Sequence, residues 1–521
     1  MPRTIAIVSF GLLALAVLAP SKNIAAAPPA GKWKIGGIVV DASDGSPLPH
    51  TPVAFAPAAR RDELHTIFTG DDGRFLFENL NPGKYTLTAQ RKSYLTEAFD
   101  EHGPYSTSIA VGPKLRSENL VFRLHRDASI SGRVTEDGTE TVRQAKVMLF
   151  QEAISNGERS IEFRADEYTN DEGTYYFNHL PPGKYFVVVS VKPWYARKPK
   201  TSTDTGEGKE IATKYEESHG SALNVAYPIT YYPGSPDAEA AAPIVLSAGA
   251  RFTAAFDLHA FPAQQVHIPF GDFEPDSSLH AYISEHLLGY GRVKPQQEAM
   301  PIDGDARTPT DKKEEWVFIS GVVKLEPAGS LSGPGQVVFR SKQSGKRFSQ
   351  QISAQGRFQL SVPAGNYDVS AVTGAFFLMS VASSTLRVDG QTVEIIPGDD
   401  VPKLTLILTQ DVGRVDGVTL KSDTPVAGAM IVLVPEDAVH HAQSFRCSQS
   451  DSDGTFTLAS VVPGKYTILA IQNGWELEWA NPEVLKPYLA QGLVIQVEPK
   501  GKYEVKVKIQ QLAIAANKAG K

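Results

Sequence analysis

A phrase of up to 15 residues that occurs four times restricts the fold of this chain more than any other feature. The copies are Asp71–Tyr85, Asp171–Tyr185, Gln355–Tyr367 and Asp453–Tyr466. The first two are 100 residues apart, measured from Gly73 to Gly173, and the last two are 98 apart, measured from Gly356 to Gly454. This period is too long for a solenoid unit and matches a whole small domain. The sequence therefore predicts an array of similar domains.

The repeated phrase predicts turn, strand, turn and strand in that order. Its Asp-x-Gly or Asp-Gly start favours a tight turn, because Gly accepts positive φ and Asp bonds its own backbone. Apolar side chains then alternate, as at Phe75 and Phe77 or at Phe456 and Leu458, which is typical of a strand with one buried face. The Pro-Gly pair closes this strand, and a second alternating strand begins at the Tyr that ends the phrase.

Each block also contains two strand-like segments before the phrase. The opening segments are Ile35–Val39, Ile130–Val134, Ile319–Val323 and Val415–Thr419, and the following ones are Val53–Phe55, Val147–Phe150, Val337–Phe339 and Ile431–Val434. Many short strands with regular turn signals and almost no helical periodicity predict β-sandwiches of about seven strands.

The order of these segments resembles the carboxypeptidase regulatory-like domain family. That resemblance implies tandem transthyretin-like (prealbumin-like) seven-stranded sandwiches, all-β, close to the B-type repeats of bacterial collagen adhesins. It implies a non-catalytic accessory, adhesive or carbohydrate-binding module, although one sandwich fold hosts many functions. The resemblance covers residues 32–126, 127–262, 316–411 and 412–512, which leaves a tail at 513–521.

Two segments do not fit the repeat. Residues 197–226 are polar, and we interpret them as a loop inserted in the second sandwich. Residues 263–315 lack the Pro-Gly-x-Tyr phrase, yet pieces such as Leu279–Ile283 are strand-like and too apolar for a free linker. We expect a degenerate β domain there, with a linker as the alternative.

The N-terminus is typical of a secretory signal peptide over residues 1–27. Arg3 precedes the uncharged apolar run Ile5–Ala19, and Ala25–Ala27 supplies small residues for cleavage. An uncleaved anchor is the alternative, but the run is shorter than the ~20 residues of a spanning helix. We therefore expect a secreted or periplasmic protein with no membrane span after cleavage.

Charge and cysteine content exclude further classes. The net charge is −7 and becomes −9 without residues 1–27, because that segment holds two of the 51 basic residues and none of the 58 acidic ones. A nucleic-acid partner would require a basic surface, so none is expected. The single cysteine, Cys447, excludes an internal disulfide, so each sandwich depends on its own apolar core.

Catalytic and cofactor motifs are absent from the sequence. No His is followed three residues later by Glu, as zinc carboxypeptidases require, and there is no Gly-x-Ser-x-Gly elbow or phosphate-binding loop. The turn Asp451–Gly454 resembles half of a calcium loop but lacks the downstream acid, so an Asp-stabilised turn is favoured. We therefore expect no enzyme activity, no cofactor and no metal site.

One recurring constellation suggests binding. An aromatic residue stands nine positions after the Tyr of each phrase. These residues are Tyr94, Trp194, Phe376 and Trp475, and Tyr195 and Trp479 extend two of the sites, with Tyr231 and Tyr232 as additions to the second. An exposed ring at a loop can stack on a sugar or a peptide. Alternatively, the ring closes the open end of its sandwich, which shared ancestry of the copies favours.

The sequence thus favours a non-catalytic binding protein of the cell envelope or exterior. Carbohydrate binding through the aromatic loop faces is the leading hypothesis, with a glycan or an envelope protein as partner. A structural spacer or adhesin stalk, and an accessory partner of a separate hydrolase, are the alternatives. The oligomeric state is left open.

Overall fold

The computed structural model describes residues 32–191, 225–262, Ile283, Leu287, 316–329, 335–343, 347–374, 376–398 and 401–511. The expected signal peptide, most of the polar loop 197–226, nearly all of 263–315 and the tail lie outside the described residues. The described chain is all-β, as predicted, and its sheets enclose four separate apolar cores.

The first sandwich contains the sheet β4-β1-β8 and the sheet β3-β2-β5-β6, in which β7 also pairs with β5. Its core includes Ile35, Phe77, Leu87 and Phe122. Its strands are β1 (Trp33–Asp41), β2 (Pro52–Pro57), β3 (His65–Phe68), β4 (Arg74–Leu80), β5 (Gly83–Ala89), β6 (Glu97–Ala98), β7 (Ile109–Val111) and β8 (Leu120–Leu124).

The second sandwich pairs the sheet β10-β9-β13, extended by β18 and β19 on β9, with the sheet β12-β11-β14-β16, extended by β17 on β14. A separate ribbon joins β15 and β20. The strands are β9 (Ala128–Glu136), β10 (Glu140–Thr141), β11 (Lys146–Ser155), β12 (Glu158–Tyr168), β13 (Thr174–Leu180), β14 (Gly183–Ser190), β15 (Val225–Ala226), β16 (Thr230–Tyr231), β17 (Ile244–Leu246), β18 (Arg251–Thr253), β19 (Phe256–Leu258) and β20 (Phe261–Pro262), with a 3-10 turn at Ala238–Ala240.

The third sandwich contains the sheets β24-β21-β29-β26 and β23-β22-β25-β28-β27. Its strands are β21 (Trp316–Glu326), β22 (Gly335–Ser341), β23 (Arg347–Ile352), β24 (Arg357–Pro363), β25 (Gly365–Thr373), β26 (Phe377–Ser383), β27 (Arg387–Asp389), β28 (Thr392–Ile395) and β29 (Lys403–Thr409).

In the fourth sandwich the strands form one eight-stranded sheet, because β37 pairs with both β30 and β35. Helix α1 (Pro482–Leu489) follows β35, and a 3-10 turn occupies Ala442–Ser444. The strands are β30 (Gly413–Lys421), β31 (Thr424–Pro425), β32 (Met430–Pro435), β33 (Arg446–Gln449), β34 (Thr455–Val461), β35 (Gly464–Ile471), β36 (Leu493–Val497) and β37 (Lys502–Gln510). Strand counts above seven come mainly from short extra strands such as β6 and β31.

The repeated phrase builds the same local structure in every copy. The turn glycine has a φ of +71° to +76° in all four, as the Asp-Gly pattern predicts. The tyrosine hydroxyl donates to the carbonyl four residues upstream at 2.7–2.9 Å, from Tyr85 to Asn81 and equivalently from the other three. The phrase is therefore a structural unit whose tyrosine fixes the turn before its own strand.

The opening strand and the repeated phrase of each sandwich also place a small residue opposite a large one. The glycine of each opening strand lies opposite the first aromatic residue of the phrase: Gly37 with Phe75, Gly132 with Tyr175, Gly321 with Phe358 and Gly417 with Phe456. A Cβ at Gly321 would lie 2.0 Å from the Phe358 ring. A Cβ at Gly132 or Gly417 would also meet the ring, whereas at Gly37 it would meet the Leu120 carbonyl oxygen at 2.3 Å, so each copy requires glycine at this position.

Two sheets are buried on both faces. Val147–Phe150 of β11 and all of β32 are buried, as continuous apolar runs predict. Ile283 and Leu287 cover the outer side of the β11 sheet, and the segment containing Trp479 and Leu485 covers that of β32. Ile283 is helical, so the expectation of a strand at Leu279–Ile283 is wrong at that residue.

Candidate functional site

Several of the candidate rings are buried, which fits the alternative that a ring closes the end of its own sandwich. Phe376 is 8% exposed within the core of the third sandwich, and Trp479 is 9% exposed against helix α1. Tyr231 is buried as well, and Tyr232 packs edge-on against Phe252 and Phe256. These rings lie inside because the chain turns back over the sandwich end beyond the strand, so they close the core.

Trp475 lies between the fourth and first sandwiches. Its ring stacks on His102 with centroids 4.7 Å apart and an interplanar angle of 11°, and Tyr105 packs against it at 5.5 Å. The indole nitrogen donates to the Gly428 carbonyl at 3.3 Å. Trp475 therefore holds two sandwiches together. Trp194 and Tyr195 lie outside the described residues, so their binding role stays a prediction.

Contacts between the first and fourth sandwiches extend around Trp475. The Lys84 ammonium contacts Asp451 and donates to the Thr455 hydroxyl at 2.7 Å. The Ser108 amide donates to Asp451 at 3.0 Å, and the Ser452 amide donates to the Ser108 carbonyl at 2.9 Å. The turn that resembled half of a calcium loop is therefore an interface turn.

The fourth sandwich also contacts the second and third. The Ala480 amide donates to the Gly157 carbonyl at 2.9 Å, at the tip of the β11–β12 hairpin. The Gln391 amide donates to the His440 carbonyl at 2.8 Å, and the Arg446 guanidinium lies 5.8 Å from the Phe377 ring centroid. The fourth sandwich thus contacts the other three.

Among the predicted binding residues that the structure describes, Tyr94 lines an open groove. A groove of about 1460 Å³ separates the first sandwich from the second. One wall is the segment Gln90–Glu97 with Glu101–Pro104, and the other is the hairpin face between Gln151 and Arg164. A cavity of this size and openness suits a chain-like ligand better than a small enclosed one.

Hydrogen bonds fix the position of the Tyr94 ring. Its hydroxyl donates to the Asp41 carboxylate at 2.8 Å, and the Arg126 guanidinium donates to the same oxygen at 2.6 Å while lying 5.8 Å from the ring centroid. Burial would raise the pKa of Asp41, but hydrogen bonds from Ser43, Arg126 and Tyr94 outweigh it and hold the pKa well below its usual range. The wall is therefore preorganised by a permanent carboxylate.

A second pair supports the same wall. The His125 backbone amide donates to Glu97 Oε2 at 2.8 Å, and the His125 ring Nδ1 lies 2.8 Å from Glu97 Oε1. The hydrogen bond to Glu97 raises the pKa of His125 against the opposing effect of burial. The Glu97 carboxylate is thus already paired with His125.

Other polar side chains of the groove have no such partner among the described residues. Among the described residues, no hydrogen bond or ion pair involves the side chains of Gln90, Lys92, Gln151, Asn156 and Arg164. They come from both walls and include amides as well as cations, with Glu162 adding a negative charge. The groove can therefore hydrogen-bond a polar ligand along its length without strong selection for charge.

Within the described part of the chain, no group of three or more His, Cys, Asp or Glu side chains could hold a metal ion. Cys447 is half-buried beside Tyr105, and burial raises the pKa of its thiol to about 12, which leaves little thiolate at neutral pH. In the same described residues, no helix has the length and apolar character to cross a membrane.

No motif announced the groove. Its walls come from loops and a hairpin far apart in sequence. The Asn-Gly pair at 156–157, on which no prediction above rests, is the signal that could have revealed the β11–β12 hairpin. The groove is lined by residues of both the first and the second sandwich, so the sequence of either one alone does not predict it.

The chain is a protein of tandem β-sandwiches with a groove between the first and the second. Residues 34–121 match the family model described as carboxypeptidase regulatory-like domain, which confirms the resemblance for the first sandwich. No curated protein matches the chain.

Solved structures similar to the chain include two pilins and a third bacterial protein, all at low scores. The Bacillus anthracis TIE protein is 10% identical, with 88% of this chain and 68% of that chain covered and a TM-score of 0.17. The minor pilin GBS52 of Streptococcus agalactiae is 11% identical, with 45% and 99% covered and a TM-score of 0.22. The major pilin subunit BcpA of Bacillus cereus is 9% identical, with 74% and 99% covered and a TM-score of 0.15. The family match is what identifies the first sandwich.

Proposed function

We propose that this protein is a non-catalytic binding protein of the cell envelope or exterior, and that it binds a carbohydrate chain in the groove between the first two sandwiches. The observation that carries the proposal is the groove itself. Its two walls present uncommitted amide and cationic side chains, and Tyr94 stands fixed on one wall. Saccharides are bound by such planar polar groups together with an aromatic face.

The burial of Phe376 and Trp479 moves the proposed site from the aromatic loop faces to the groove. Preorganisation supports this position, because a wall already held by Asp41 and Arg126 loses little conformational entropy on binding. The hairpin wall is also braced, since its tip Gly157 bonds to Ala480 of the fourth sandwich.

Of the alternatives, an extended stalk receives the least support. The contacts of Lys84 with Asp451 and of His102 with Trp475 join sandwiches that are far apart in sequence, so the array folds back on itself. An accessory partner of a hydrolase would also use a concave surface spanning two sandwiches, and binding of a protein in the groove is the second candidate.

A glycan-array screen of residues 28–521 tests the proposal. The variants Lys92→Ala and Arg164→Ala change one wall each, and Arg133→Ala, which removes an exposed cation on β9 outside the groove, is the matched control. We expect both wall variants to weaken a glycan signal by roughly tenfold or more, since each hydrogen bond to a charged group contributes about 1.5–3 kcal/mol.

The control should bind like the unchanged protein. A blank array, or a signal that the wall variants leave unchanged, contradicts the proposal. If the array is blank, a pull-down of envelope proteins with the same variants tests the protein partner instead.

A further inference from the structure

The third sandwich has an outer sheet face that none of the functions discussed so far uses. Strand β21 directs Trp316, Phe318 and Val322 outward, and these side chains are 53%, 46% and 37% exposed. Their inward neighbours Val317 and Ile319 are in the core. Large apolar side chains on the solvent side of a strand indicate an interaction surface rather than a folding requirement.

The two aromatic rings stand in line. Residues two apart on a strand lie about 6.6 Å apart on the same face. Trp316 packs against Phe348 in a T-shaped pair, with centroids 5.8 Å apart and an interplanar angle of 85°, so the indole is held by this contact while it stays 53% exposed. The rings thus form a short, oriented apolar track at one end of the sheet.

Cations follow the aromatic track. Arg357 on β24 lies opposite Val322, Lys403 on β29 lies beside Ser320, and Lys324 continues β21. All three are exposed, and among the described residues none of them forms an ion pair. The outward-facing acid on these strands is Glu326, at the far end of β21. A local basic surface on a chain of net charge −7 selects for anions.

The middle of this face is polar rather than apolar. Ser320, Gln359, Ser361 and Thr405 occupy the outward positions between the rings and the cations. A protein interface of ordinary strength has an apolar centre, and membrane insertion requires apolar side chains that protrude together. Hydroxyl and amide groups between an aromatic track and cations instead match a chain that carries both hydroxyl and acidic groups.

We propose that this outer face of the third sandwich, from Trp316 to Lys403, is a docking surface for an anionic polysaccharide. Sugar faces stack on Trp316 and Phe318, hydroxyls bond to Ser320, Gln359 and Ser361, and acidic groups pair with Arg357, Lys324 and Lys403. The surface is separate from the groove between the first and second sandwiches, so the two sites can be tested independently.

Affinity electrophoresis of residues 28–521 in gels with dextran sulfate or plain dextran tests this assignment, because the two polymers share one glucan backbone and differ in the anionic sulfate esters on it. We expect dextran sulfate to retard the protein and plain dextran to retard it little. Trp316→Ala/Phe318→Ala should weaken the retardation about tenfold. Arg357→Gln/Lys403→Gln should weaken it several-fold and reduce its dependence on salt.

Strands β9 and β13 of the second sandwich supply a matched control, since they are equivalent to β21 and β24. Tyr176→Ala/Arg133→Gln removes one exposed ring and one exposed cation from that sheet. This variant should be retarded like the unchanged protein. Melting temperatures of all variants should agree, because every substituted side chain is exposed.

Three outcomes would overturn the assignment. One is no retardation by dextran sulfate. Another is an equal loss in the control variant, which would indicate general attraction of cations. The third is binding to vesicles of phosphatidylglycerol that depends on Trp316 while the polymer has no effect, which would make the face a membrane surface. Loss of glycan binding in the groove variants leaves the assignment unaffected.

Discussion

One lysine position of the repeated phrase has different partners in different sandwiches. Lys184 pairs with Glu152, and Lys465 with Glu436, on the neighbouring strand of the same sandwich. In the first copy Ala58 stands at the equivalent place, since its amide bonds to the Lys84 carbonyl at 2.8 Å. Lys84 therefore has no acidic partner at that position of its own sandwich, and it contacts Asp451 of the fourth sandwich instead.

At the same scale, Trp475 should behave as an interface residue. Trp475→Ala removes the stacking on His102 and opens a cavity between two sandwiches, so we expect a loss of about 2–4 kcal/mol in the free energy of unfolding. Trp316→Ala is the control, because this tryptophan is 53% exposed, and its loss should be below about 1 kcal/mol. Denaturant titration measures both. Equal midpoints for the two variants would contradict the interface role.

Residue patterns predicted part of this site and missed the rest. The turn glycines and the alternation of Phe75 and Phe77 predict the strands correctly. They do so because backbone sterics and burial on one face depend on residues only a few positions apart. Whether Trp475 faces solvent depends on the first sandwich, which packs His102 and Tyr105 against its ring. That contact joins residues more than 300 positions apart, and no local pattern reports it.

Among the elements, the β11–β12 hairpin has two roles. One face of it forms a wall of the groove, and its tip packs against Trp479 and Ala480. Both tip residues have positive φ, 50° at Asn156 and 84° at Gly157, as the Asn-Gly turn requires. The hairpin therefore couples the shape of the groove to the position of the fourth sandwich.

Gly157→Ala tests this coupling. A Cβ at Gly157 would lie 2.6 Å from the Ala480 amide, so the tip must withdraw from the fourth sandwich. Gly138→Ala is the control, because Gly138 has a similar φ of +72° but its Cβ would meet nothing closer than 3.9 Å. We expect Gly157→Ala to cost about 1–3 kcal/mol more than the control. Similar losses, measured by thermal unfolding, would show that only backbone strain matters.

The four sandwiches that the structure describes form a closed cluster rather than a string. The fourth sandwich contacts the first through Asp451, the second through Ala480 and the third through His440. The repeat predicted the sandwiches but not this closure, because a 100-residue period describes what each unit is and not what it packs against.

Small-angle X-ray scattering tests the closure. A compact body of about 490 residues has a radius of gyration near 23 Å, and four sandwiches in a line exceed that clearly. We expect a value toward the compact limit, and an increase of several Å in Lys84→Ala/Asp451→Ala. Lys465→Ala/Glu436→Ala removes an equal pair within one sandwich and should leave the radius unchanged. An extended value for the unchanged protein contradicts the closed cluster.

The contact of Lys84 with Asp451 spans 367 positions, which gives the chain an order of assembly. Synthesis begins at the N-terminus, so the first sandwich is complete long before its partner exists. Until the fourth sandwich emerges, Lys84, Ser108 and His102 face water, and the groove wall at Gly157 has no brace. The last sandwich to be made is therefore the one that locks the others, and a chain that ends before it has every earlier fold yet no fixed shape.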